Sequence, residues 1–312
     1  MKKNLLTLTA LVGILLAGCQ TMEEIVPEVT PEVRVTPEGK YMLTVEATKD
    51  IDTKALSLDG STLNAYWKTG ETVAVYLGGT YLGQLTATAG SDNTKATLSG
   101  VLDSVTGVAE NSVLTLLFPR KDWDYTGQNG AAPSEDGPLA TQYDYATASV
   151  TVKSVNTTDR TITVNSAAIF QNQQSMYRFG FKVGGTGDAI AIKSFTVSSA
   201  NNALVRSRSW SGSDWVDNCG SISVEAAGTS TLTLPFVSLR NTLVSSSYAA
   251  DDETVRDKYS FDVIGSDDAL YLGEKKIPGK VMTTQGKFIS APSVSITKVE
   301  LGQSSSTATE VW

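Results

Sequence analysis

Thr72-Val73-Ala74-Val75-Tyr76-Leu77, then Gly78-Gly79, then Tyr81-Leu82-Gly83-Gln84-Leu85-Thr86-Ala87-Thr88 reads as two alternating segments joined by a glycine pair. A Gly-Gly step between apolar runs is a hairpin signal, and the period of two places Val73 and Val75 on one face. The same rhythm continues on both sides. Upstream, Tyr41 to Thr48 alternates. Downstream come Ala96-Thr97-Leu98, Val113 to Phe118 (ended by Pro119), Ala148 to Val152 and Thr161 to Val164. A second series runs through Tyr177 to Val183, Ile190 to Val197, Ile222 to Val224, Leu232 to Leu234, Tyr259 to Ile264, Leu270 to Leu272 and Val294 to Leu301. Two clusters of about seven short strands, each over roughly 130 residues, predict an all-β chain of two tandem β-sandwich domains. The domains are expected over 41–168 and 169–312, with the boundary near Ser166 to Ser175, where Gln171-Asn172-Gln173-Gln174 interrupts the apolar rhythm. Lys121 to Thr141, rich in Gly, Pro, Asp and Asn, reads as a long loop. No amphipathic helical stretch exceeds about ten residues, and no short-period repeat suggests a solenoid or propeller.

The amino terminus predicts where this chain works. Lys2 and Lys3 precede an apolar run from Leu5 to Leu16, followed by Leu16-Ala17-Gly18-Cys19. That is a secretory signal over 1–18 with small residues at the cut. Cleavage between Gly18 and Cys19 makes cysteine the first mature residue, the pattern of a lipobox. Acyl chains on Cys19 would hold the protein on a bilayer, each buried methylene adding roughly 0.8 kcal/mol. The apolar run, about 12 to 14 residues, is shorter than the roughly 20 of a membrane span. Residues 19–40 form an acidic stem. Pro27, Pro31 and Pro37 favour an extended path, and Glu23, Glu24, Glu28 and Glu32 keep it solvated.

Composition removes several function classes. The formal net charge is −8, which disfavours nucleic acid as a partner. The chain contains no histidine, so a Ser-His-Asp or Cys-His site is excluded. With Cys19 assigned to lipid, Cys219 is left alone and reads as a free thiol. Asp251-Asp252-Glu253 and Asp267-Asp268 are the adjacent carboxylates. Paired catalytic acids need burial to separate their pKa values, and these runs read as solvated loops without EF-hand spacing. The expectation is a non-enzymatic protein with no metal and no cofactor.

Ala65-Tyr66-Trp67-Lys68-Thr69-Gly70-Glu71-Thr72-Val73-Ala74-Val75-Tyr76 resembles the fimbrillins, pilin-type lipoproteins of Bacteroidetes. The carrying positions are Trp67, then Gly70 and Glu71, then the strand ending near Tyr76. Glu71 stands where an Asp is more usual in that family and preserves its charge. Trp67 would bury its ring beside the core, with Gly70 supplying a turn. Acidic residues just after Cys19 also resemble the surface-export signal of lipoproteins in that phylum. The resemblance implies transthyretin-like, Greek-key sandwich domains and a life in assembly. Subunits of this kind (type V pili) are exported as outer-membrane lipoproteins, cut after a basic residue by a trypsin-like protease, and polymerised into a cell-surface fimbrium by donor-strand exchange. The partners implied are other pilus subunits, the outer membrane through lipid, the processing protease, and a host protein or glycan in adhesion. A shaft role is favoured over anchor or tip.

Carried onto this chain, Arg34 is the candidate processing site, the basic residue between Cys19 and Lys40 in an exposed stem. Lys40 is second. Val29 and Val33 would belong to the departing strand. The donor candidate is Ser293 to Trp312, where Val294 and Ile296 share one face, Val299 and Leu301 the next, and Val311 and Trp312 form an apolar tip. The phase slip between Ile296 and Val299 predicts a bulge or bend near Thr297-Lys298. A final strand of its own domain is the other reading of Val294 to Leu301. The competing function is a glycan-binding surface lipoprotein, for which Trp123 and Tyr125, and Trp210 with Trp215, are the aromatic candidates.

Overall fold

The computed structural model describes residues 39–300, apart from 50–56, 60–61, 65, 121, 131–136, 138–140, 213, 230, 239–254 and 279–287. Among the described residues the regular structure is β, as the alternation predicts, apart from a helical turn at Thr141 and Gln142. In chain order the strands are β1 (Tyr41–Lys49), a small separate hairpin of β2 (Ser57–Asp59) and β3 (Thr62–Asn64), β4 (Thr72–Leu77), β5 (Thr80–Ala89), β6 (Lys95–Leu102), β7 (Val113–Phe118), β8 (Trp123–Asp124), β9 (Ala146–Asn156), β10 (Thr161–Val164) and β11 (Ala168–Asn172). They continue as β12 (Ser175–Val183), β13 (Ile192–Ser199), β14 (Leu204–Trp210), β15 (Trp215–Cys219), β16 (Ile222–Thr229), β17 (Thr231–Ser238), β18 (Val255–Gly265), β19 (Leu270–Pro278) and β20 (Phe288–Lys298).

The first sheet closes on itself. Its order is β10-β1-β11-β9-β7-β4-β5-β6, with β1 also pairing β6 and β10 also pairing β9. β1 lies antiparallel to β6, from Tyr41 opposite Leu102 to Thr48 opposite Lys95. On its other side it runs parallel first to β10, with Met42 opposite Thr161, then to β11, with Ala47 opposite Ala168. β10 and β11 therefore act as one interrupted strand between β1 and β9. Closure leaves no long free edge in this sheet, which removes the template for unwanted pairing. Inward residues of alternate phase fill it, among them Leu43, Val45 and Ala47 of β1, Val73 and Val75 of β4, Leu82 and Leu85 of β5, and Leu114 and Leu116 of β7.

The second sheet has ten strands in the order β15-β14-β17-β12-β20-β19-β18-β13-β16, with β8 joining β14. β16 and β17 are separated by residue 230 alone, yet β16 pairs β13 and β17 pairs β12. The chain thus crosses from one layer to the other there, and the sheet folds over an aromatic core. Phe179 meets Phe261 edge to face at 4.9 Å, and Phe181 meets Phe261 at 5.4 Å and Phe195 at 5.6 Å. Ala168–Asn172 still pairs in the first sheet, and the change of sheet falls between Asn172 and Ser175.

Two local expectations are revised. Part of the long loop after Pro119 is strand: Trp123 pairs opposite Arg208 and Asp124 opposite Ser207, and the Tyr125 N–H donates to the Arg206 carbonyl at 2.8 Å. Two residues are too few to show a period. The bulge expected at Thr297-Lys298 is not there, since Thr297 and Lys298 pair in register with Leu272 and Tyr271. The irregularity falls earlier, between Ala291 and Val294 opposite Phe179 and Phe181. Pro292, which has no N–H to give a ladder, sits in that interval.

Candidate functional site

Three of the four motif positions around Trp67 come together, and they surround a lysine. Gly70 adopts φ of +95°, a conformation that favours glycine, and its N–H donates to the Ala87 carbonyl at 2.9 Å. That turn lets Trp67 point into the closed sheet, where it is 1% exposed. Its ring meets Phe118 at 5.3 Å and Phe170 at 5.2 Å, both edge to face. Glu71 follows the turn and accepts the Lys68 N–H at 3.0 Å. Tyr76 lies at the far end of β4 and packs against Tyr81 at 5.5 Å, away from this cluster.

The lysine is Lys49. The alternation of β1 that buries Leu43, Val45 and Ala47 continues inward to Lys49. Its Nζ donates to Asp144 Oδ2 at 2.8 Å and to the Tyr66 carbonyl at 3.0 Å, and stands 3.8 Å from Glu71 Oε2. It also lies 4.1 Å from the Phe118 ring centre and 4.7 Å from that of Trp67. The side chains of Lys49 and Asp144 are each 4% exposed. The inward phase of Lys49 was the available sequence signal, but its partner Asp144 is distant in the chain and carries no pattern of its own.

Burial raises the Glu71 carboxyl above its ordinary pKa; the Lys49 charge and the Lys68 N–H offset only part of the rise. A carboxyl that binds its proton more tightly when folded subtracts stability as pH climbs from the unfolded value, about 4.3, towards the folded one. Glu71→Gln removes that loss. The melting temperature of wild type minus that of Glu71→Gln is therefore expected to fall as pH rises from about 4 to about 7. A difference that stays flat in thermal melts across that range contradicts this assignment.

The remaining sequence candidates are dispersed. Val294 and Ile296 are buried in β20, 1% and 0% exposed, between β12 and β19. Val299 is half-buried, and its N–H donates to the Leu270 carbonyl at 2.8 Å. Lys40 is half-buried and pairs with Asp103 at 2.7 Å. Gly18, Cys19, Val29, Val33, Arg34, Leu301, Val311 and Trp312 lie outside the described residues, as do Asp251, Asp252 and Glu253. Asp267 accepts from Tyr271 at 3.0 Å and Lys298 at 3.2 Å, and Asp268 from Lys193 at 2.6 Å, so both carboxylates are engaged.

Trp123 and Tyr125 are not exposed platforms. They are 1% and 0% exposed, because β8 docks on β14 and folds them into a seam between the two sheets. Trp123 lies 5.1 Å from Tyr145 with nearly parallel rings and 4.0 Å from Trp215. Trp210 and Trp215 border a cleft of about 320 Å³, together with Tyr76, Arg120, Asp122 and Arg208. Arg208 grips Asp217 with two bonds, at 2.7 and 3.0 Å, and lies over the Trp215 ring. Its Nη1 and the Trp210 Nε1 are buried donors without an acceptor among the described residues. Cys219 borders the same seam. Burial, and then the Asp217 carboxylate, push its thiol above the ordinary value, which disfavours thiolate chemistry.

No family model matches the chain, and no curated protein matches it. Solved structures similar to it include fimbrial and candidate adhesion proteins of Bacteroidetes. A candidate cell adhesion protein from Bacteroides uniformis matches with a TM-score of 0.40 at 13% identity, over 83% of this chain and 96% of that one. The tip fimbrial protein Mfa3 from Porphyromonas gingivalis, with a C-terminal truncation, matches with a TM-score of 0.36 at 9% identity, over 77% and 85%. A candidate cell adhesion protein from Bacteroides fragilis matches with a TM-score of 0.40 at 12% identity, over 83% and 97%.

Proposed function

We propose that this chain is a non-enzymatic structural subunit of a cell-surface pilus, exported as an outer-membrane lipoprotein, processed after Arg34 and polymerised by donor-strand exchange, with a role in the shaft. The observation that carries this reading is a fork in the second sheet. β19 and β20 pair where Tyr271, Leu272 and Gly273 face Lys298, Thr297 and Ile296, and among the described residues the ladder goes no further than Gly273 on that side. Gly273 stands at the branch, where a Cβ would meet Ile296 Cγ2 at 2.7 Å and the Ser295 carbonyl at 2.8 Å. Beyond it the ladder stops, and a groove of about 480 Å³ lies across β18, β19 and β20 at the branch, lined by Phe261, Leu272, Glu274 and Ser295 among others. Main-chain groups along an unpaired strand edge can accept an added strand, whose alternate side chains then supply specificity.

The donor is the segment Ser293 to Trp312 of a neighbouring subunit. Val294 and Ile296 pair in their own sheet before any exchange. Both candidate cuts precede β1, which starts at Tyr41, so processing leaves the closed first sheet whole. Amino-terminal sequencing of filaments sheared from cells is the test. A Val35 start is expected. An acylated Cys19 on every copy would show that no processed shaft subunit exists.

A second reading, a glycan-binding surface lipoprotein, is favoured by the cleft at the seam. Trp210 and Trp215 offer apolar ring faces, while Arg208 Nη1 and Trp210 Nε1 are donors awaiting acceptors such as sugar oxygens. Under this reading Trp210→Phe, which keeps a ring but removes the N–H, weakens glycan-array binding about tenfold. An array with no hits for wild type removes this reading.

A further inference from the structure

Lys49, Asp144 and Glu71 do more than a buried ion pair requires. Ammonium and carboxylate are both withdrawn from water, with two aromatic rings over the nitrogen and a second carboxyl beside it. We propose that Lys49 Nζ and Asp144 Cγ join in an intramolecular amide bond, with Glu71 carrying the protons. This proposal goes beyond the pilus reading and does not depend on assembly.

Geometry supplies the first requirement. Nζ stands 2.8 Å from Asp144 Oδ2, so the amine sits against the carbon it would attack. Lys49 is fixed by β1, and Asp144 lies two residues before β9 begins at Ala146. β11 lies between these strands and pairs both. Groups held this way react with effective molarities on the order of 10⁵–10⁸ M.

The surroundings supply the second. In water an amine and an acid stay apart largely because both ionise and are well hydrated. Burial penalises the two ions and not the neutral amide. Trp67, Phe118 and Phe170 keep this site dry on the core side. The equilibrium is thereby moved towards condensation.

Glu71 supplies the third. Its Oε2 is 3.8 Å from Nζ. Burial holds its pKa above the ordinary carboxyl value, which suits a group that must both take and return a proton. The step balances without any redox partner. The Glu71 carboxylate takes one proton from the Lys49 ammonium, and the freed Nζ lone pair forms the C–N bond at Asp144 Cγ. Glu71 then passes that proton, and next a second one from the same nitrogen, to the departing Asp144 oxygen. The C–O bond breaks, one water leaves, and Glu71 ends as it began. A groove of about 320 Å³ lined by Glu71, Asp144, Thr141 and Gln142 gives that water a way out. The product ties the end of β1 to the entry of β9, so tension on the chain bypasses the residues between them.

Peptide mapping tests this on the full chain purified from cells in detergent. After denaturation and trypsin digestion, the expected product is Tyr41–Lys54 joined to Asp122–Lys153, lighter by one water than the two peptides together and uncut after Lys49. Glu71→Gln is expected to return the two segments separately, with Lys49 cleaved normally. Recovery of free Tyr41–Lys49 and linear Asp122–Lys153 from wild type overturns the bond, and this reading needs no variant to fold. A cross-linked product from Glu71→Gln overturns the role given to Glu71.

Discussion

Trp67→Ala is expected to lower the free energy of unfolding by about 3–5 kcal/mol, the range for truncating a buried tryptophan. The loss has two parts. The indole is 1% exposed and fills the space between Phe118 of β7 and Phe170 of β11, so its removal forfeits transfer energy and leaves a void between strands on opposite sides of β9. The indole also lies under Lys49 Nζ at 4.7 Å, and truncation takes away that packing face. Trp67→Phe restores most of the stability, because the indole N–H makes no hydrogen bond among the described residues and its loss removes nothing polar. Urea denaturation of both variants checks this. A cost below about 1 kcal/mol for Trp67→Ala would mean that the core collapses around the gap.

Trp123→Ala is expected to cost a similar amount, about 3–5 kcal/mol, and also to change the form of the transition. Trp123 is 1% exposed and stacks between Tyr145 and Trp215, so it touches both sheets. The Tyr145 hydroxyl donates to the Asp124 carbonyl at 2.9 Å and accepts the Asp124 N–H at 3.0 Å, which fixes β8 from the first-sheet side. β14 fixes it from the other. Removing the ring at the centre of this seam lets each sheet unfold on its own. Calorimetry should show two transitions for the variant where the wild type has one. A single transition, merely moved down in temperature, would place the coupling elsewhere.

The strands that the sequence reveals are those with a long, clean period. β1, β9 and β18 alternate apolar and polar residues on a half-buried sheet. β14 and β15 escape because Ser207 and Arg208 face Asn218 and Asp217, and these polar groups pair with one another across the ladder. β11 is hidden among glutamines, although Ala168, Phe170 and Asn172 are its inward residues. At the Trp67 cluster the turn, the tryptophan and the acid are legible in a dozen residues. Lys49 and Asp144 are not, since a lysine after three apolar alternations resembles a strand end. Only a partner 95 residues away makes it a core residue. Trp123 and Tyr125 mislead for the converse reason: aromatics in a Gly- and Asp-rich stretch look exposed until a strand from the other sheet covers them.

The parallel pairing of β1 with β10 and β11 fixes an order of events. Met42 cannot meet Thr161, nor Ala47 meet Ala168, until most of the intervening chain has left the ribosome. Among the described strands of the first sheet, the earliest to be made is thus among the last to be enclosed on both flanks. Until then β1 has only its antiparallel neighbour β6, and its other flank stays open. Closing so distant a pair slows folding and prolongs the exposure of that open flank. A nascent or unfolded chain accordingly has a long interval in which a chaperone, or a second copy, can reach β1 before the ring is complete.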